Sequence, residues 1–144
     1  MKDNFARAFL FVCDREGWYS NHPADYGGET LLGISKRYWP KEFEEIKTLP
    51  DDKKLLYARD FYEINFWRKF NCNSYVYPLD IIIFDSTVNT GRTFYAEGDK
   101  WYDVLLKRIK YHNDKVEKDP TQLVHLRGWM NRCYLLYSTF VKET

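Results

Sequence analysis

Apolar residues recur at helical spacing near the start of the chain. Phe5, Phe9 and Val12 fall at i, i+4 and i+7 and make one stripe, so residues 3–16 are expected to be helical. Glu16 lies four residues beyond Val12, on the same stripe, where most helices carry an apolar side chain. Gly17 follows it as the expected break. From 17 to 34 the helical period is lost. Four glycines and Pro23 are interleaved with Trp, Tyr, Thr and Ile, a pattern of turns and short strands such as a small hairpin. The period returns in "SKRYWPKEF", expected to open a short helix capped by Ser35 and interrupted at Pro40. "PDDKKLLYARDFYEINFWRKF" predicts a longer helix capped by Asp51 or Asp52, with Leu55, Arg59, Tyr62 and Phe66 on one face.

"LDIIIFDSTVNTG" is apolar nearly all round, which suits a short buried helix ended by Gly91. Residues 99–117 predict another helix, broken by Asp119-Pro120. In the last, 121–141, the core stripe is read as Leu126, Met130, Cys133, Tyr137 and Phe140. Trp67, Trp101 and Trp129 are assigned to the core. The pattern as a whole predicts a mostly α single domain over 1–144, with a small β-hairpin lobe after the first helix.

Composition narrows what such a domain does. The 144 residues suffice for one domain with a real core. A net charge of +1 lacks the basic excess of a nucleic-acid binder, and "KRIKYHNDKVEK" reads as a solvated helix face. Three widely spaced cysteines, Cys13, Cys72 and Cys133, are not a disulfide framework. They read as buried thiols made in a reducing compartment. The histidines at 22, 112 and 125 are scattered, and no metal-ligand spacing appears. No apolar run reaches the ~18–20 residues of a membrane span, and the start is a poor signal peptide. The expectation is a protein made in the bacterial cytoplasm without a signal peptide, acting as a monomer, not inserted in a membrane, and without metal or organic cofactor. Aromatic residues make up 19% of the chain, enough to line a sugar-binding surface as well as a core.

The chemistry-bearing stretch is "EGWYSNHPADYGGETLLGIS", residues 16–35. Glycoside hydrolysis needs an acid that protonates the leaving oxygen and often a second carboxylate acting on water. The acid works near neutral pH when partly buried in apolar surroundings. Glu16, on an apolar stripe at a helix end, suits that part. Asp25 suits the second, and the hydroxyl of Thr30 suits the holding of the water. Taken singly, Asp25 before Gly-Gly is a common turn residue and Glu29 a surface residue. Neighbours in an extended segment point to opposite faces, so Glu29 and Thr30 are not expected to share a task.

The same stretch resembles the opening motif of glycosyl hydrolase family 108, the bacterial and phage N-acetylmuramidases. Glu16, Gly17, Tyr19, Asp25, Gly27, Gly28, Glu29, Thr30, Gly33 and Ile34 match it. "NFWRKF", "FDSTVNTG" (84–91) and "LRGWMNRC", with Gly128, Trp129 and Arg132, resemble its later segments in the family's order. The resemblance implies a lysozyme-like fold and cleavage of the β-1,4 bond between N-acetylmuramic acid and N-acetylglucosamine. It implies Glu16 as catalytic acid, and peptidoglycan glycan strands in the cell wall as partner, reached after release or export. The block is also similar to the Glu–Asp–Thr pattern of phage lysozymes, with a gap of four instead of five residues before Thr30. Trp18 and Tyr26 depart from the family pattern and add aromatic surface. With Tyr19 they are candidate sugar-stacking residues, joined by Glu29 and Asn89 as substrate contacts. The segment of about 92–144, where the family carries a peptidoglycan-binding part, is divergent. Two other readings fit these residues: a lytic transglycosylase using Glu16 alone, and a non-catalytic peptidoglycan-binding or assembly protein.

Overall fold

The computed structural model describes residues 3–23 and 28–142. Among them are six α-helices and one three-stranded antiparallel sheet. The chain forms two compact units, Met1–Lys69 and Phe70–Thr144.

The first unit opens with α1 (Asn4–Glu16), capped by Asp3, whose carboxylate accepts from the Ala6 N–H at 3.0 Å. Phe5, Ala8, Phe9 and Val12 are its buried residues, as the periodicity predicts. The helix stops at Gly17, whose φ of 73° and ψ of 177° lie in a region almost closed to residues with a Cβ. That turn feeds β1 (Tyr19–Asn21), which pairs with β2 (Glu29–Leu31), and β2 pairs with β3 (Ile34–Ser35).

Two helix starts differ from the expected ones. The Ser35 hydroxyl accepts from the N–H groups of Arg37 at 3.1 Å and Tyr38 at 3.2 Å, but this closes a turn. α2 (Pro40–Lys47) begins at Pro40 instead of being interrupted by it. A proline at the first helical position gives up an N–H that would have no helical acceptor, and it keeps the preceding residue out of helical geometry. Likewise, α3 (Asp51–Tyr62) is preceded by Pro50. Asp51 and Asp52 stand inside its first turn, where their charge complements the helix dipole.

The buried face of α3 also differs. Leu55 is 44% exposed, and Ala58, Phe61 and Tyr62 are the buried residues. A π-helical turn, Glu63–Arg68, continues α3 and rotates the face presented by the residues beyond Tyr62. Trp67 is buried, as expected, with its ring 5.5 Å from that of Phe5.

The second unit is built around α4 (Leu79–Thr90), whose residues 79–87 are all buried, as its all-round apolar pattern predicts; it ends at Gly91. α5 (Trp101–Lys118) and α6 (Leu123–Leu136) complete the unit, and Asp119-Pro120 separates them. The last helix ends in a π turn, Tyr137–Val141, and Cys133 on its buried face is where the periodicity puts it. Leu136 and Phe140 are buried, whereas Tyr137 is 41% exposed. Trp101 and Trp129 are half-buried and not core. All three cysteines are free thiols; Cys72 and Cys133 are buried and Cys13 is half-buried. No helix among the described residues is long and apolar enough to cross a membrane.

Candidate active site

In the first unit, α1 carries Glu16 on its last turn, half-buried, in line with the core residues Phe9 and Val12. One turn earlier on the same helix, burial and the nearby Glu16 charge push the Cys13 thiol up to about 11, so it stays protonated and unreactive at neutral pH.

The β2–β3 turn determines what surrounds the Glu16 stem. Leu31 pairs with Ile34, leaving Leu32 and Gly33 as a two-residue loop, with φ of 48° and 80°. Positive φ at both central positions defines the hairpin turn whose twist matches its strands. Glycine takes this conformation freely, and leucine takes it at a cost. Three contacts hold Leu32 there. Its side chain is 3% exposed, its N–H donates to the Trp18 carbonyl at 2.7 Å, and its own carbonyl accepts from the Tyr62 hydroxyl at 2.6 Å. Gly33 then lies directly against Glu16. A methyl group on Gly33 would stand 2.8 Å from Cγ of Glu16 and 2.3 Å from the Tyr62 oxygen, so no side chain fits.

The strands sort the remaining candidates. Tyr19 and Glu29 share one face, and the Tyr19 hydroxyl donates to the Glu29 carboxylate at 2.8 Å. That hydrogen bond, followed by slight desolvation and the Glu29 charge, raises the Tyr19 phenol above its ordinary range. Lys36 Nζ lies 3.9 Å from the other Glu29 oxygen. Thr30 is on the opposite face, directly across from Ser20 and Ser35. Trp18 and Tyr19 are exposed, at 41% and 54%, on the segment that leaves Glu16. Asp25 and Tyr26 lie outside the described residues.

The second unit holds a buried charge network. The Asp85 carboxylate accepts from Arg132 at 2.8 Å and from Arg108 at 2.9 Å. Burial opposes its charge, but the Arg132 and Arg108 guanidiniums outweigh burial and hold the carboxyl below its ordinary range. Arg108 is fully buried, and it also donates to Ser86 at 3.2 Å and to the Asn89 side-chain oxygen at 3.1 Å. Asn89, expected as a sugar contact, is thus held at the half-buried edge of this network. His112 stacks on Trp129 with ring centroids 4.8 Å apart. Burial, then the Arg108, Lys115 and Arg132 charges, lower it to about 3, so it is neutral.

The basic segment 107–118 is therefore not simply a solvated face. Arg108 and His112 extend the buried stripe of Val104 at i+4 and i+8. A cation on an apolar stripe is the same signal that singled out Glu16, and it would have revealed Arg108 in the sequence. Asp85, within an all-round buried helix, required a cationic partner for the same reason. Tyr62 was legible only as an apolar-face residue, because nothing local announces the carbonyl it reaches.

Comparison with solved structures shows the fold. The chain is similar to the "Structure of Brucella abortus SagA", with a TM-score of 0.71 and 21% identity over 96% of this chain and 94% of that one. The fold is therefore the lysozyme-like, mostly α one, with its small sheet placed after the first helix. A helix-end glutamate beside a glycine-turned hairpin on this fold fits a glycoside hydrolase. The chain belongs to that class as a member of glycosyl hydrolase family 108, whose model matches residues 9–91. No curated protein matches it. At the level of the family, membership implies peptidoglycan hydrolysis of the muramidase type.

Proposed function

We propose that the protein is an N-acetylmuramidase that cleaves the β-1,4 bond between N-acetylmuramic acid and N-acetylglucosamine. Glu16 donates the proton to the glycosidic oxygen. Asp25 draws a proton from a water that Thr30 helps to hold, and that water attacks the anomeric carbon from the opposite face. Trp18, Tyr19 and Tyr26 stack on pyranose rings, with Glu29 as a polar contact to the glycan. The cell wall is the place of action, reached from the bacterial cytoplasm by release or export.

One observation carries this reading. Glu16 ends a core-facing helix, and its stem lies beside a turn with room for no more than glycine at that point. A surface glutamate with no task would not need such a setting.

The test is the release of reducing ends from purified peptidoglycan by the wild type and Glu16→Gln, with mass analysis of the products. The amide keeps the shape and cannot donate an acid proton, so a loss of roughly 10²- to 10⁴-fold is expected, with ordinary reducing muramic acid ends. Anhydro-muramic ends would make the enzyme a lytic transglycosylase. Equal activity of the two proteins would remove Glu16 from the chemistry.

A further inference from the structure

Tyr62 is the last residue of α3 and is 1% exposed. Its ring packs 6.0 Å from that of Phe9, which lies on α1 two turns before Glu16, and beside Phe61 and Phe66 at 5.3 and 5.7 Å. A phenol buried in this way needs a hydrogen-bond acceptor. Its hydroxyl finds the carbonyl of Leu32, the residue held at positive φ in the hairpin turn. Tyr62 thus touches both the helix that carries Glu16 and the turn that lies beside it. The hydroxyl and the Glu16 stem close on the same point, the open side of Gly33.

We propose that Tyr62 is a positioning residue for the general acid. By holding the Leu32-Gly33 turn at one height above α1, its hydroxyl limits the rotamers open to the Glu16 stem and fixes where the carboxyl meets the glycosidic oxygen. Without the hydroxyl, Leu32 keeps only its side-chain burial and its bond to Trp18 to offset its backbone strain, and Gly33 is released from Glu16. The proposal rests on Glu16 being the proton donor.

The consequence is a dependence on the leaving group. A sugar hydroxyl leaves poorly without a proton, whereas 2,4-dinitrophenolate leaves unaided. A misplaced acid therefore slows cleavage of a glycan and spares a dinitrophenyl glycoside, while general damage to the protein slows both alike. Wild type, Tyr62→Phe and Glu16→Gln would be compared on soluble glycan strands and on the 2,4-dinitrophenyl β-glycoside of the N-acetylglucosaminyl–N-acetylmuramic acid disaccharide. Circular dichroism at the assay temperature would confirm folding.

For Tyr62→Phe we expect kcat on glycan strands to fall roughly 10-fold, with KM within about twofold and the dinitrophenyl rate within about twofold of wild type. Glu16→Gln should show the same pattern, more strongly. 4-Aminophenylalanine at position 62 restores a donor and should recover most of the glycan activity. An equal loss on both substrates, no loss, or no recovery in the folded 4-aminophenylalanine variant would overturn the proposal while the role of Glu16 stands. If Glu16→Gln itself showed no leaving-group dependence, the acid assignment would fail, and that outcome is read without reference to Tyr62.

Discussion

Gly33 lies against the methylene stem of Glu16 with no space between them for a side chain. Its position would put a Cβ 2.8 Å from Cγ of Glu16, and its φ of 80° is one that a residue with a Cβ adopts only under strain. Gly33→Ala should therefore cost stability twice over, through strained backbone and steric conflict, by about 1–3 kcal/mol. It should also displace the acid. Small misplacements of catalytic groups cost up to about 100-fold in rate, so at least a 10-fold loss of reducing-end release is expected at temperatures where the variant is folded. Urea unfolding and the activity assay together check this. A variant of normal activity and lowered stability would show that the turn supports the fold and not the acid.

Asp85 sits between two guanidiniums, with one carboxylate serving two buried cations. Asp85→Asn leaves both arginines without their counter-charge, and breaking a buried pair in this way typically costs about 3–5 kcal/mol. A pH signature accompanies it. The folded carboxyl titrates below the unfolded one, so its stabilisation is complete above the ordinary carboxylate range. It is lost as pH falls through the depressed folded value. Urea midpoints measured from pH 7 down to 3 should fall less steeply in Asp85→Asn than in the wild type. Parallel curves would mean that the network does not respond to acid through Asp85.

His112 acts earlier in the pH scale. Its folded value is about 3 against an ordinary 6.5, so between those limits the unfolded chain binds a proton that the folded chain refuses. Stability then rises with pH across that window and is lost on acidification. Between pH 7 and 5 the loss amounts to about 2 kcal/mol. In His112→Gln the unfolded-state proton is gone, and this part of the pH dependence should vanish from chemical-unfolding curves. A wild type whose stability is flat between pH 7 and 5 would show that His112 can be charged in place.

How far the sequence was legible depends on the range of each signal. The first helix, its break at Gly17 and the placing of Glu16 in line with Phe9 and Val12 rest on local spacing, and they appear where the spacing puts them, with Glu16 half-buried. The buried face of α3 departs from the expected one already at Leu55, with Ala58, Phe61 and Tyr62 turned inward, and in the last helix Leu136 takes the place expected of Tyr137; neighbouring elements, which no local spacing reveals, decide which of two adjacent apolar side chains is covered. Ser35 is a capping residue type before a short run, and its hydroxyl does accept backbone N–H groups, but the proline five residues later decides where the helix begins. The Asp85–Arg108–Arg132 network and the reach of Tyr62 to Leu32 join residues 23 to 47 positions apart, beyond any local pattern. Arg108 was nonetheless open to the reasoning applied to Glu16, that a charge on an apolar stripe has a reason to be there.

The stereochemical outcome is the remaining test of the proposed mechanism. If Asp25 acts on water, attack comes from the face opposite the leaving sugar, and the β-linkage gives an α-configured muramic acid end. Such a base leaves room for the water, so the two carboxyl groups must stand about 6.5–9.5 Å apart; a retaining pair stands about 5–5.5 Å apart, with one carboxylate attacking carbon directly. Proton NMR of the anomeric signals in the first minutes of digestion, before mutarotation, distinguishes the products. The α-anomer should appear first. First appearance of the β-anomer would make Asp25 a nucleophile or bystander, and it would remove the water-holding role from Thr30 in the attacking step. Thr30→Ala then serves as the check. Under inversion it should lower kcat about 10-fold or more, because the attacking water loses a partner, whereas direct attack by a carboxylate would leave the first covalent step unchanged.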